Sequence, residues 1–464
     1  MRRSAISRFR EILSALAAAL LLAAPAGADT VRVGLDQARD MAVQALKAGD
    51  PGLAIALARG LLQANPDDFV AHYVIANAEA QQHHPDAGRR AAARAYHLAR
   101  TPTARFRSAQ LAAQLAYQED HYTLSQYWLR RAAIHAPDDR AKTAVAKDYR
   151  VLRRLNPWSV RFQADLRPSN NVNKGADTAL QIIDGVPVTG YLSGSAQALS
   201  GLITSYDFAT SYRIDRTERS ETAVLGRLYI QRVALSDEAR DQAPDVDNSD
   251  FATTYAEASL RHVWAAGARG TASLTGSLGE AWSGGERSFR FSRLNVDRSW
   301  WLAGGHRLGV NAMAETRFLA RYKTNDASIL GLGALWRKDL RNGDALDVAV
   351  AWRDTRADHR NGTYTSASLR TEYELGHPVG PVRLSAGLIL GYSDYPDFIS
   401  GGFIDVPGGR QDKSIYGEIN MMFHQVEFAG FSPMLRLRAG EKDSNDSRYS
   451  MNEVSLSLGF RSKF

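Results

Sequence analysis

After Asn156-Pro157-Trp158 the apolar residues change their spacing from 3.6 to two, and they keep the new period to the C-terminus. A period of two is a strand with one apolar and one polar face. Fourteen such segments can be counted, the first near 159–167 and the last near 449–463. They are separated by clusters of Gly, Asn, Asp, Ser and Pro. In one, Thr222, Val224, Gly226, Leu228 and Ile230 oppose Ala223, Leu225, Arg227, Tyr229 and Gln231. In another, Leu346, Val348, Val350 and Trp352 oppose Asp347, Ala349 and Ala351. So many meandering strands must either stack as two sheets around a large core or close on themselves. Their number is even, they run to about ten residues, and each has one face apolar enough for lipid, as in a transmembrane β-barrel.

The connections point the same way. Short turns are predicted at Ala265 to Ala268, Ala303 to His306, Arg341 to Asp344 and Gly376 to Gly380. Long loops are predicted over 168–198, 236–250 and 393–412. Short and long connections alternate, as they do in outer-membrane barrels. The last strand places Leu456, Leu458 and Phe460 on one face with Phe464 in phase, and Glu453, Ser455, Ser457 and Gly459 on the other. These four apolar residues are assigned to barrel closure and to the terminal assembly signal. Trp264, Trp282, Trp300, Trp301, Trp336, Trp352 and Tyr392 lie near strand ends, where aromatic girdles form.

The N-terminus reads as a secretory signal over residues 1–28. Arg2, Arg3, Arg8 and Arg10 precede a short apolar run, and Ala26-Gly27-Ala28 fits the cleavage pattern, placing the cut between Ala28 and Asp29. There is no cysteine, so disulfides, thiolate metal sites and a lipidated N-terminal Cys are excluded. The net charge of +7 resides in the signal and in residues 29–155, which hold 18 Lys/Arg against 13 Asp/Glu. Nothing in this distribution calls for nucleic acid.

Residues 29–155 are rich in Ala, Leu, Arg and Gln, with apolar residues at helical spacing such as Leu53, Leu57, Leu61 and Leu62. Pro66, Pro102 and Pro137 recur at intervals of about 35, and Asn65-Pro66-Asp67-Asp68 nearly repeats as Ala136-Pro137-Asp138-Asp139. The expectation is a small tetratricopeptide-like α-solenoid, with Ala54, Ala58, Ala92, Ala95, Ala132 and Ala133 at its close crossings. The predicted organisation is therefore a signal (1–28), an α-solenoid (29–155) and an antiparallel membrane β-barrel (156–464).

Chemical motifs are lacking. Asp245, Asp247 and Asp250 fail the EF-hand pattern, because Asp250 and Ala256 stand where Gly and Glu belong. Gly331-Leu332-Gly333 lies within a strand and is no nucleotide loop. Asp358 and His359 read as loop-tip polar residues. No catalytic, cofactor or metal site is predicted, and the chain is expected not to be an enzyme.

Two stretches resemble the surface lipoprotein assembly modulator (Slam) family. One is the barrel-opening motif Asn156, Pro157 and Trp158, continuing to Pro168-Ser169-Asn170-Asn171-Val172-Asn173. The other is Gly430-Phe431-Ser432-Pro433 with Lys442-Asp443-Ser444-Asn445 and Tyr449-Ser450 to Phe464. The resemblance implies an outer-membrane translocator that brings secreted proteins or lipoproteins to the cell surface, with a periplasmic helical domain recognising the client. Client protein, outer-membrane lipid and the barrel-assembly machinery are the partners this implies. The alternative is a porin or solute channel with a periplasmic partner-docking domain, in which lumen-facing Arg227, Arg370 and Arg438 set selectivity.

Overall fold

The computed structural model describes residues 33–320, 326–426 and 431–462. The signal sequence with Ala28 and Asp29 lies outside the described residues, as do Gly430 and the terminal Phe464. The chain divides into two compact units, the first ending at Glu119 and the second starting at Asp120.

Among the described residues the first unit holds five antiparallel helices: α1 (Leu35–Lys47), α2 (Pro51–Ala64), α3 (Phe69–Gln81), α4 (Pro85–Leu98) and α5 (Pro102–Gln118). Proline opens α2, α4 and α5, where its missing N–H costs nothing. Asp50, Asp68 and Thr101 accept from backbone N–H groups three residues on and cap the helices they precede. Each helix packs on the next, and α1 also packs on α3 and α3 on α5. The buried stripe of α2 is Ala54, Ile55, Ala58 and Leu61. Leu53 is exposed, so the stripe sits one residue later than leucine spacing alone predicts, because small residues rather than leucines face the close crossings. Gly88 of α4 marks another: a Cβ there would stand 2.9 Å from the Ala76 carbonyl.

The second unit opens with a helical hairpin, α6 (Tyr122–Ile134) and α7 (Asp139–Leu155), and continues as fourteen antiparallel strands. These are β1 (Trp158–Ser169), β2 (Gly201–Arg216), β3 (Ser220–Leu235), β4 (Thr253–Ala265), β5 (Gly270–Ser283), β6 (Glu286–Leu302) and β7 (His306–Leu319). The others are β8 (Ala327–Asp339), β9 (Ala345–Ala357), β10 (Tyr364–Glu374), β11 (Val382–Tyr395), β12 (Arg410–Phe423), β13 (Phe431–Ser444) and β14 (Met451–Ser462). Each pairs with its sequence neighbours, and β14 returns to β1 to close the barrel.

The predicted faces hold. Val160, Phe208, Leu260, Leu278, Leu332 and Leu456 stand exposed on the outer wall, an apolar belt. Such a belt on a closed, even-stranded antiparallel barrel is the outer-membrane architecture, in which no backbone group meets lipid unpaired. One rim carries short turns, and the other carries the long loops 170–200, 236–252 and 396–409. The long-loop rim also carries shorter connections, among them Gly284-Gly285, a two-residue turn whose φ values of 59° and 81° glycine adopts freely. The Gly331-Leu332-Gly333 segment lies inside β8, and Asp358 and His359 lie in the β9–β10 loop.

Candidate functional site: lumen, closure seam and helix–strand junction

The inner wall is polar and carries several ion pairs. Arg227 grips Asp207 with two bonds of 3.0 and 2.8 Å. Arg293 reaches Glu315 at 2.5 Å and Glu257 at 3.3 Å, and Arg317 shares Glu315 at 2.5 Å. Arg370 and Arg438 both bind the buried Glu418 at 3.1 Å. The three arginines singled out in the sequence all face the lumen, but each is ion-paired, so none presents a free charge to a passing ion. Fourteen strands fall between the ~8 that fill their own interior and the ~16 that leave a wide channel.

The closure seam differs from the rest of the wall. β1 is in register with β2 at every residue from Trp158–Tyr212 to Ser169–Gly201. With β14, among the described residues, it is in register at Asp165–Gly459, Leu166–Leu458 and Ser169–Ser455. One proline explains part of this: Pro168 lies in β1 and cannot donate to a ladder. Across the seam the lumen side is tied by Arg167 to Glu453 at 3.1 Å. Of the predicted closure residues, Leu456, Leu458 and Phe460 lie on the outer, lipid-facing side of β14.

Above the seam the long loops form a clasp. Asp184 and Asn445 exchange two bonds, backbone N–H to carbonyl at 2.8 Å and Asn445 Nδ2 to Asp184 Oδ1 at 3.0 Å. Asn452 Nδ2 donates to Asp177 at 2.6 Å, and the Val454 N–H donates to Asn170 Oδ1 at 3.1 Å. Asp446, fully buried, accepts from Gln181 Nε2 at 3.0 Å and from the Ser400 hydroxyl. Beside it, Ile183, Phe398 and Val406 form a small core. The Arg410 guanidinium stacks 3.8 Å from the Tyr395 and Tyr449 ring centres. Asn171 and Asn173 shape the first loop from within, accepting and donating backbone bonds to Gly175, Gln197 and Leu199. The seam is thus clasped at the long-loop rim and sparsely paired below.

At the short-turn rim the Asn156-Pro157-Trp158 motif is a helix-to-strand joint. The buried Asn156 donates to Thr123 Oγ1 (3.0 Å) and Gln126 Oε1 (2.8 Å) of α6, and accepts from the Trp158 N–H (3.0 Å). One Asn side chain therefore ties the end of α7, the flank of α6 and the first residue of β1. Pro157 cannot continue the helix, and Trp158 packs on Tyr212 with ring centres 4.8 Å apart. Arg213 of β2 completes the joint: its Nη2 donates to the carbonyls of Arg154, Leu155 and Asn156, each at 3.0 Å, a cation on the negative end of a helix. Arg130 of α6 stacks on Phe431 at the base of β13 and on Tyr149 of α7.

Both stretches behind the family resemblance thus converge on the seam and its joint. Sequence reasoning missed Arg213, Asp446 and Arg410, which carry no local signal. Pro168 and Pro433 fell just outside the predicted strands and lie within β1 and β13.

No protein-family profile matches the sequence, and no curated protein does. Among solved structures, the chain is similar to the outer membrane channel DcaP of Acinetobacter baumannii, at 10% identity, covering 65% of this chain and 97% of that one with a TM-score of 0.36. It is also similar to a loop L8 deletion mutant of the outer membrane protein OmpT of Vibrio cholerae, at 9% identity, 66% and 99% coverage and a TM-score of 0.35. A third similarity is to the type III secretion translocator chaperone SycD of Yersinia enterocolitica, at 13% identity, 27% and 90% coverage and a TM-score of 0.24.

Proposed function

We propose that this outer-membrane barrel is a translocator that delivers secreted proteins or lipoproteins to the cell surface, its helical region receiving the client in the periplasm. The observation that carries the reading is the seam. Every other neighbouring pair of barrel strands is in register along most of its length, as with β10–β11 and β12–β13. Among the described residues the β1–β14 closure is the sparsely paired one, and a buried polar joint ties the start of β1 to the helices. A passive pore gains nothing from a weak closure, while a protein that must admit a polypeptide does. The resemblance to the Slam family, carried by residues that flank this closure, supports the same reading.

The porin alternative rests on Arg227, Arg370 and Arg438, and their pairing with Asp207 and Glu418 leaves none of these three as a free charge. The deciding experiment compares cells with and without this chain, each expressing a tagged secreted protein encoded beside it. Under translocation, the tag becomes protease-accessible on intact cells only when the chain is present. Equal accessibility in both strains refutes it.

A further inference from the structure

Helix α7 holds six Lys or Arg against two Asp. Val145, Tyr149 and Leu152 are its buried stripe, and α6 packs against it. Turned away from that stripe, Val151 and Leu155 are apolar yet 51% and 43% exposed. They stand one helical turn apart and form a second, open stripe. Lys147 precedes Val151 by four residues and Arg154 follows it by three, so both border the stripe, and Arg150 stands between them. Asp148 is the acid of α7 on its other border. The end of this helix has a marked depth. Trp158 and Tyr212 are exposed on the outer wall with ring centres 4.8 Å apart, an indole and a phenol of the kind that line the lipid–water boundary. Leu155 lies three residues before Trp158, and Arg213 of the wall holds its carbonyl. Arg216 reaches the Arg154 carbonyl at 3.4 Å. The last two turns of α7 therefore begin at the boundary, and Val151, Leu155, Trp158 and Val160 succeed one another along the chain as exposed apolar residues.

We infer that the last two turns of α7 are a docking surface for anionic phospholipid in the leaflet at the short-turn rim, the periplasmic one in barrels of this kind. An apolar stripe bordered by cations is the pattern of a helix that lies in a bilayer surface. Val151 and Leu155 enter the acyl boundary, continuing the apolar belt of the outer wall. Lys147, Arg150 and Arg154 meet the phosphates. The apolar pair favours lipid over a soluble acidic protein, and the cations favour anionic headgroups over zwitterionic ones. Asn156 and Arg213 fasten α7 to the start of β1 and to β2, so a bilayer that grips the helix also sets the angle at which it leaves the wall. The inference stands apart from the translocator reading, since any barrel with this joint would present the same surface to lipid.

The chain has no cysteine, so a single thiol label reports one position. The full chain with Val151→Cys carries a nitrobenzoxadiazole label and is inserted in lipid nanodiscs. In discs of phosphatidylcholine with phosphatidylglycerol, the emission shifts to the blue, and a doxyl lipid spin-labelled near the headgroup quenches it. In discs of phosphatidylcholine alone, the label stays water-like. A label at Thr143→Cys, about 12 Å further from the rim along the helix, stays water-like in both. Each cation near an anionic surface is worth about fivefold in affinity. Lys147→Gln, Arg150→Gln and Arg154→Gln together therefore lower the ratio of buried to exposed label roughly 100-fold in the anionic discs. All four positions are exposed and lie outside the buried stripe, and heat-modifiable migration in gels checks that the barrel remains folded. Water-like emission from position 151 in both discs overturns the inference. A blue shift of equal size in both discs overturns it as well, because the cations then make no choice. So does a shift produced by soluble polyglutamate and not by phosphatidylglycerol, which assigns the face to an acidic protein.

Discussion

Replacing Arg213 by alanine isolates the joint between helix and wall. The guanidinium is mostly buried and donates to three terminal carbonyls of α7 and its cap, all from one nitrogen, with Glu221 3.7 Å away. A hydrogen bond from a charged group contributes about 1.5–3 kcal/mol. Three acceptors sharing one nitrogen count as no more than two such bonds, and partial solvation at the rim reduces each. The charge itself adds roughly 0.3–1 kcal/mol at a helix C-terminus. A net loss of about 2 kcal/mol corresponds to a roughly 30-fold rise in local opening. Hydrogen exchange of the full chain in micelles, read by mass spectrometry, should show peptides from 139–155 exchanging about 30-fold faster, while peptides from β5 to β11 are unchanged. Arg213→Lys should recover only part of the loss, because an ammonium on a shorter stem is more strongly hydrated and gives up more solvation to sit against the carbonyls. A change below threefold in α7, or an equal rise throughout the wall, would falsify the assignment of Arg213 as the clamp on this helix.

Other consequences are equally open to measurement. Burial alone would raise the Asp68 carboxyl, but the Ala71 N–H and the Arg39 guanidinium at 2.7 Å outweigh it and hold it below the usual carboxylate range. A depressed folded value means that the stabilisation is complete above about pH 4, the unfolded value, and is lost as pH falls through the folded one. Helix melting followed by circular dichroism should therefore weaken in acid, and Asp68→Asn, which keeps a capping oxygen, should flatten that dependence. Glu418→Ala removes the carboxylate shared by Arg370 and Arg438, so the reversal potential in planar bilayers under a salt gradient should move toward anions. An unmoved potential counts against these arginines lining a conducting lumen. Asp446→Ala strips buried acceptors from Gln181 and Ser400, at about 1–3 kcal/mol for each partner left unsatisfied; proteinase K should then cut within 170–200 in a barrel that otherwise stays folded.

The wall was legible because strand alternation is a local property. β5 was expected at 270–282 and spans Gly270–Ser283, and β9 was expected at 345–356 and spans Ala345–Ala357. The short turns and long loops followed from glycine and polar clusters for the same reason. The seam was only half legible. The sequence marks β1 and β14 as partners by topology, but how many residues pair depends on shear, which no single strand encodes. The clasp was invisible, since Gln181 and Asp446 meet 265 positions apart. In α2, leucine spacing pointed to Leu53, whereas the crossing selects Ala54 and Ala58 because a shorter side chain allows closer helix approach.

The distance along the chain between the two sides of the clasp has a consequence for how the barrel forms. The Val454 N–H reaches Asn170 across 284 residues, while a neighbouring pair such as Arg227 and Asp207 closes only 20. Loop-closure entropy grows with the logarithm of length, so this single junction carries about 2 kcal/mol more chain-ordering cost than an ordinary hairpin. Pairings that are far apart in sequence also form last. Folding therefore ends at the clasp, and the ring stays an open sheet until the first and seventh loops find each other. The polar bonds of the clasp act as the latch on a topology that hairpin formation alone cannot complete, which makes the long-loop rim the place where a half-assembled barrel and a finished one differ.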